Sequence, residues 1–474
     1  MINLFILLGT PLFALIFLPL KARFRRLFYI ISAMISLVAI WCAFQLEVNI
    51  HVAAVGFSLM IDAYSKIFLI LISCTWLISI IYSYEFTKYH FQEKRVRFFL
   101  LLNCLLTLSC ISACAGNMTT LFTSYLVGIP LTYPLITIRD NQPAFRSGKL
   151  FFTQTFFPSV LIFLPAIVIT QLLIGHTSFD GPATFGTAGI DPLVGGAVLS
   201  MFIIGISKNC VFPFHLWLPG TSAAPAPVSG LIHSVATVKT GSIALIKIAI
   251  YIFGLDYIHE LTSNFLSGGW LTYLCGGTAV YTAYRALKTD DIKQRFAFST
   301  VGQLSYIILA VLIGSKIGML AAVLHVVTHA IAKSCLFYVA GFYNSIYNTV
   351  SVRKIGSIMP HTRFIAFVIA ICGLSITGFP FLAGYYSKDL MLIEQWNSHY
   401  YSSAIFLVLG SLLNVLYIIG PVQHAFRKKD PEIEVKAIPW SMRTTFIISI
   451  VLIIGSNFYV SYFSALILFG SPIL

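Results

Sequence analysis

Six lysines stand inside apolar runs or at their broken ends: Lys66, Lys208, Lys239, Lys247, Lys333 and Lys388. A charged side chain at the centre of a bilayer costs about 2.5–3.5 kcal/mol on insertion scales, so each of these should face the protein interior and have a use. The segment HVVTHAIAK places His325, His329 and Lys333 at i, i+4 and i+8. On an α-helix this spacing makes one polar stripe, about 12 Å long at 1.5 Å per residue. Titratable groups aligned in this way and bridged by water are what proton relay requires. Asp62 stands four residues before Lys66, at helical pairing distance. A structural Asp62–Lys66 pair is the expectation there. Lys66 and Lys247 are read equally as snorkelling, paired or functional residues.

The elements that must carry these groups are membrane spans. The chain has 474 residues, 58% of them hydrophobic and 10% charged, whereas a soluble protein is about 25% charged. A globular fold in water cannot hide so much apolar side chain. A helix of about 20 apolar residues crosses a bilayer. Stretches of this kind recur about fourteen times between 2–20 and 444–470, the third over 57–83. The expected fold class is therefore an all-α polytopic membrane protein, with residues 1–474 forming one transmembrane domain. The loops with Lys94, Arg95 and Arg97, with Arg139 and Arg146, with Arg285 and Lys288, and with Arg353 and Lys354 all fall on one side; the opposite loops hold only Lys316. The positive-inside rule makes the basic side cytoplasmic and places both termini outside. The net charge of +14 is thus a topology signal, and no nucleic-acid partner is expected. The basic cluster KARFRR follows the first apolar run instead of preceding it, which argues against a cleavable signal. The nine cysteines lie in apolar runs without metal-ligand spacing, so neither a metal nor a cofactor is expected.

Two spans look broken. VFPFHLWLP follows the seventh and GLSITGFPFLAGYYSKDLML the twelfth, with Pro213 and Pro380 as the breaks. Proline removes a backbone donor and disrupts the helical ladder. Broken backbone at membrane depth is tolerated only where it lines a cavity or is covered by protein. Lys208 stands before the first break and Lys388 after the second. Interrupted helices at matching positions in two halves point to a transport pathway built from inverted repeats. Spans 4–8 (97–254) and 9–13 (267–426) would be those repeats.

The segments SKNCVFPFHLWLPGTSAAPAPVSGLIHSVATVKTG (207–241), KTDDIKQRFAFSTVGQLSYI (288–307), the His-His-Lys helix and GFPFLAGYYSKDLML (378–392) together resemble the antiporter-like membrane subunits of complex I, of Mrp-type cation/proton antiporters and of membrane-bound hydrogenases. The form VATVKTG makes the chain most similar to the D-type component of Mrp antiporters. The resemblance implies that Lys208 is the central lysine of a first half-channel. It implies that His233 and Lys239 connect this half to a second, whose relay is His325, His329 and Lys333. Lys388 would be the terminal protonatable group, with Asp389 beside it. The family has a glutamate in the fifth helix as partner of the seventh-helix lysine. Aligned on Tyr133 and Pro134, that position is Leu126 here. Either a partner supplies a carboxylate, or Lys208 is held neutral, or the first half-channel is impaired.

Three functions follow. One is a proton-translocating component of a multisubunit monovalent cation (Na⁺)/H⁺ antiporter in a bacterial inner membrane, whose partners are other membrane subunits. Another is the pump module of a complex I-like NADH dehydrogenase, a hydrogenase or another coupled complex. The chain would then belong to a translocase while holding no redox centre itself. The third is a degenerate component kept for assembly.

Overall fold

In the computed structural model, residues 2–13, 25–90, 93–427 and 433–470 are described. The latter part of the first apolar run, Lys21 and Arg23 lie outside them. The chain opens with helices α1 (Ile2–Phe13) and α2 (Arg25–Gln45). A hairpin of β1 (Ile50–Ala54) and β2 (Phe57–Ile61) follows, paired antiparallel from Ile50 opposite Ile61 to Ala54 opposite Phe57. This corrects the expectation that the third apolar run is helical from residue 57. Val55 and Gly56 both have positive φ and turn the chain between the strands, and β2 buries alternate positions before the helix begins. Helix α3 therefore starts only at Ala63 and runs to His90.

Helices α4 (Arg95–Ala113) and α5 (Met118–Ile136) form the next antiparallel pair. Asn117 caps α5 by accepting the Thr120 N–H. Helices α6 (Gln142–Pro158) and α7 (Leu164–Ile174) join through a π-helical turn into one long apolar rod, Gln142–Ile174. Helix α8 (Pro192–Gly205) ends early. The chain then makes a tight turn at Ser207–Asn209 and passes Cys210 in the left-handed region. Pro213 lies in this non-helical stretch, before the short α9 (Trp217–Gly220). Helices α10 (Ala226–Leu231) and α11 (Val238–Ile248) form one buried span, Ala226–Phe253, interrupted at Thr237.

In the second half, α12 (Leu255–Ser263) leads into α13 (Trp270–Lys288), α14 (Ile292–Val311) and the 31-residue α15 (Lys316–Ile346). Asp291 and Ser315 cap α14 and α15 through their side-chain oxygens. Helices α16 (Val352–Ile358) and α17 (Arg363–Thr377) follow, and α17 stops at Gly378, which has φ +89°. Pro380 lies in the gap before α18 (Ala383–Asn397). Helices α19 (Tyr401–Asn414), α20 (Trp440–Ile454) and α21 (Ser456–Gly470) follow in turn.

Among the described residues, six helical stretches are long and apolar enough to cross a membrane: Ala63–Lys88, Arg95–Ala113, Gln142–Ile174, Ala226–Phe253, Lys316–Ile346 and Tyr401–Phe426. Others are shorter, among them Pro192–Gly205 and Arg363–Thr377. These two are the helices that end at the breaks, so their shortness follows from the interruption. Helix α15 is the axis of the bundle: it is buried for most of its length and packs against α3, α10, α14, α17, α18 and α20. At one end a polar latch joins two connections. The Ser351 hydroxyl donates to Asp290 Oδ2 at 2.7 Å, and the Arg353 N–H donates to Oδ1 at 3.2 Å.

Candidate functional site: a buried lysine and histidine relay

The stripe on α15 exists as spaced. His325, His329 and Lys333 are all buried, and the two imidazoles lie nearly parallel with centroids 6.2 Å apart. Between them the three groups are tied to α11, α14 and α18. His325 Nε2 is 3.1 Å from Gln303 Oε1 on α14, and its Nδ1 is 3.0 Å from Ser387 Oγ on α18. Ser387 Oγ also lies 3.1 Å from the Gly384 carbonyl, and its single proton serves either that carbonyl or His325 Nδ1. His329 Nδ1 is 2.9 Å from Lys239 Nζ on α11. Lys333 donates to the Phe296 carbonyl on α14 at 3.1 Å. Lys239 is placed for its contact by the break at Thr237, just before the start of α11.

The surroundings of Lys388 and Lys208 differ. Lys388, one residue after Ser387, donates to Ser411 Oγ at 2.8 Å and lies 5.2 Å from the centroid of the Tyr306 ring. It opens onto a 270 Å³ cavity whose walls include Thr377, Tyr385, Asp389 and Ser411. Asp389 is thus half-buried in the wall of the same cavity. At the other end Lys208 is buried and donates to the Tyr125 carbonyl at 2.7 Å. Among the described residues no carboxylate lies within 4.0 Å of it. Leu126 is half-buried on the same helix as Tyr125. The turn holding Lys208 packs on α11 at Gly241, where a Cβ would lie 3.0 Å from Lys208 Cβ. Only glycine lets this turn approach so near to the Lys239 helix.

His233 takes a separate position. Its ring stacks on Phe337 at 4.0 Å, and Phe337 in turn packs edge-on against Phe296, whose carbonyl holds Lys333. His233 Nδ1, Thr237 Oγ1, Gln303 Nε2 and His329 Nε2 are buried without a protein hydrogen-bond partner. Buried polar atoms of this kind are normally met by ordered water.

The expected Asp62–Lys66 pair is corrected. Asp62 Oδ2 is 4.0 Å from Lys247 Nζ and accepts from the Tyr251 hydroxyl, while Oδ1 accepts the Ser65 N–H at the start of α3. Lys247 also donates to the Ala115 carbonyl at 2.8 Å. Asp62 caps its own helix, which points its remaining oxygen across to α11, and Lys66 stays half-buried outside this cluster. Gln303, Ser387, Ser411, Tyr306 and Tyr125 are partners that sequence reasoning misses. Only Ser387 carries a signal, its place beside Lys388.

Comparison with known proteins bears on the family and the fold. The family described as "NADH:quinone oxidoreductase/Mrp antiporter, TM" matches residues 115–414. The A/B component of a probable K⁺/H⁺ antiporter of Rhizobium meliloti is 27% identical over 349 residues, covering 73% of this chain and 33% of that protein. NADH-ubiquinone oxidoreductase chain 5 of Rattus norvegicus is 34% identical, over 48% of this chain and 35% of its own length. The Dictyostelium discoideum chain 5 is 26% identical over 75% of this chain and 53% of its own. The chain therefore spans about a third to a half of the length of these curated relatives. Among solved structures, a chain of Thermus thermophilus respiratory complex I superposes with a TM-score of 0.83 at 16% identity, covering 98% of this chain and 97% of that one. A chain of an archaeal membrane-bound sulfane sulfur reductase gives 0.81 at 18% identity, covering 98% and 94%. Both show the same fold. Matched over residues 115–414, which hold the buried Lys208, Lys239, His325, His329, Lys333 and Lys388, this multi-pass membrane chain belongs to the NADH:quinone oxidoreductase/Mrp antiporter family.

Proposed function

We propose that the chain is a proton-translocating component of a multisubunit monovalent cation/H⁺ antiporter, in a role like that of the D-type component, and that Na⁺ is the exchanged ion. The observation that carries this reading is the direct contact between the halves: Lys239 Nζ to His329 Nδ1 at 2.9 Å, continued through His325 to Ser387, the neighbour of Lys388. Protons would pass between lysine, imidazole and intervening water. The charge on one lysine would bias the next through a low-dielectric interior. The inverted repeats 97–254 and 267–426 remain part of the proposal, supported by the breaks after α8 and α17, each close to a buried lysine. So does the placement in a bacterial inner membrane with both termini outside, supported by the one-sided basic loops. In inverted vesicles containing the assembled complex, Lys333→Ala should abolish Na⁺-driven pH-gradient dissipation. A full rate in the assembled variant would refute the reading.

A second reading makes the same relay the pump module of a redox complex. It is favoured by the 34% identity to chain 5 of NADH-ubiquinone oxidoreductase. Purification of the intact complex from its native membrane separates the two: redox subunits in stoichiometric amounts support the second, and their absence supports the first.

A further inference from the structure

Among the described residues no carboxylate lies within 4.0 Å of the Lys208 ammonium, yet it is closely held. Three contacts come from one residue. The Tyr125 carbonyl accepts from Lys208 Nζ at 2.7 Å. The Tyr125 ring centroid lies 3.8 Å from Nζ. The Tyr125 hydroxyl accepts the Lys208 backbone N–H at 3.1 Å, which fixes the turn carrying the lysine. Both residues are buried. One helical turn further along α5, a Cβ at Gly128 would lie 3.5 Å from Nζ, so this face of the helix is shaped around the ammonium. Helix α5 also contains Pro130 and Pro134. Pro130 has no N–H to donate to the carbonyl of Leu126, which leaves this stretch richer in free carbonyl dipole than an ordinary helix. A carbonyl and a ring face attract a cation without contributing a net charge.

We propose that Tyr125 replaces the missing carboxylate as the positioning residue of Lys208, holding the ammonium by carbonyl and ring in the first half of the chain. The inference rests on the relay reading above. With dipoles in place of an anion, a proton on Lys208 is stabilised but not neutralised. Its charge therefore reaches along the Gly241 contact toward Lys239, and among the described residues neither lysine has an ion-pair partner. The first half-channel keeps its lysine in working position and needs no carboxylate from a partner.

The test uses vesicles that contain the full complex, with transport followed as pH-gradient dissipation over a range of pH. Tyr125→Leu removes the ring and hydroxyl and should lower the rate about tenfold, the scale of a desolvated cation–ring contact. Tyr125→Phe keeps the ring but leaves the buried Lys208 N–H without its acceptor, and its rate should fall between those of the parent and Tyr125→Leu. Adding Leu126→Glu to Tyr125→Leu should restore transport and displace its pH profile upward, since an added anion stabilises an ammonium. A Tyr125→Leu complex with the parent's rate and pH profile overturns the inference, and so does a double variant that assembles with neither rescue nor displacement. If Tyr125→Leu fails to assemble, Leu126→Glu alone decides: a displaced profile supports the inference and an unchanged one overturns it. Lys333→Ala in the same vesicles separates the two levels. If it is inactive while Tyr125→Leu is unimpaired, only this inference fails; if it is fully active, the relay itself fails.

Discussion

Lys239 and His329 belong to different helices, α11 and α15, yet Nζ of one and Nδ1 of the other are 2.9 Å apart in the buried core. This contact joins the Lys208 side to the His325–Lys388 side directly, side chain to side chain. If the two residues act as a unit, their effects cannot add. Lys239→Ala and His329→Ala should each slow transport by about 10²-fold, the lower range for loss of a proton-transfer group, and the double variant should be no slower than the worse single one. Initial rates of pH-gradient dissipation in vesicles give the comparison. Multiplicative losses would mean that the two residues serve separate routes.

Asp62 and Lys247 make a second, structural prediction. Removing one partner of a buried ion pair leaves an uncompensated charge and costs about 3–5 kcal/mol. Asp62→Asn should therefore lower the thermal stability of the complex strongly. Lys66→Ala, which keeps the Lys66 N–H bond to the Asp62 carbonyl and removes no side-chain bond to that cluster, should stay within about 0.5 kcal/mol of the parent. Thermal unfolding in detergent distinguishes them. Equal losses would reinstate an Asp62–Lys66 pair.

The seat of Lys388 depends on a close helix crossing. A Cβ at Gly384 would lie 1.7 Å from the Ser375 carbonyl oxygen, so α18 meets α17 there backbone to backbone. Gly384→Ala should force the helices apart, at about 1–3 kcal/mol of overpacking. The shift should also displace Ser387 and Lys388 enough to lower transport. Gly277→Ala, with nothing within 4 Å of its Cβ, is the matched control and should be neutral or slightly stabilising. Identical behaviour of the two variants would show that the crossing tolerates separation.

The latch between Asp290 and Ser351 should be pH-dependent. The Ser351 hydroxyl, aided by the Arg353 N–H, holds the Asp290 carboxyl below its ordinary range. A carboxyl whose folded value is depressed adds stability above its unfolded value and loses it as pH falls through the folded one. Protection against hydrogen exchange at residues 350–354, after correction for the intrinsic pH dependence of exchange, should therefore be high at neutral pH and fall under strongly acidic conditions. Ser351→Ala should already exchange fast at neutral pH. Protection in the parent that is insensitive to acid would contradict the latch.

The polar stripe of α15 is legible in the sequence because helical spacing alone sets it: residues four apart share a face whatever surrounds them. The same rule misleads at Asp62, where four-residue spacing suggests Lys66. There the tertiary contact with α11 wins, because the aspartate is spent as the cap of α3 and faces Lys247. The breaks are legible from Pro213 and Pro380, although α8 already ends at Gly205. The hairpin over 50–61 is not, since a short apolar run reads alike as strand or helix until its turn is recognised. The partners Gln303, Ser387, Ser411 and Tyr125 cannot be found by spacing at all. They are ordinary polar or aromatic residues whose meaning arises only where helices cross.

The central claim is that one buried route joins Lys239, the α15 stripe and Lys388. The most direct measurement is pH-gradient dissipation by the assembled complex carrying Lys388→Ala, beside Lys333→Ala and the parent, at equal complex content. Both variants should assemble normally and lose transport. Undiminished dissipation by both would contradict the relay.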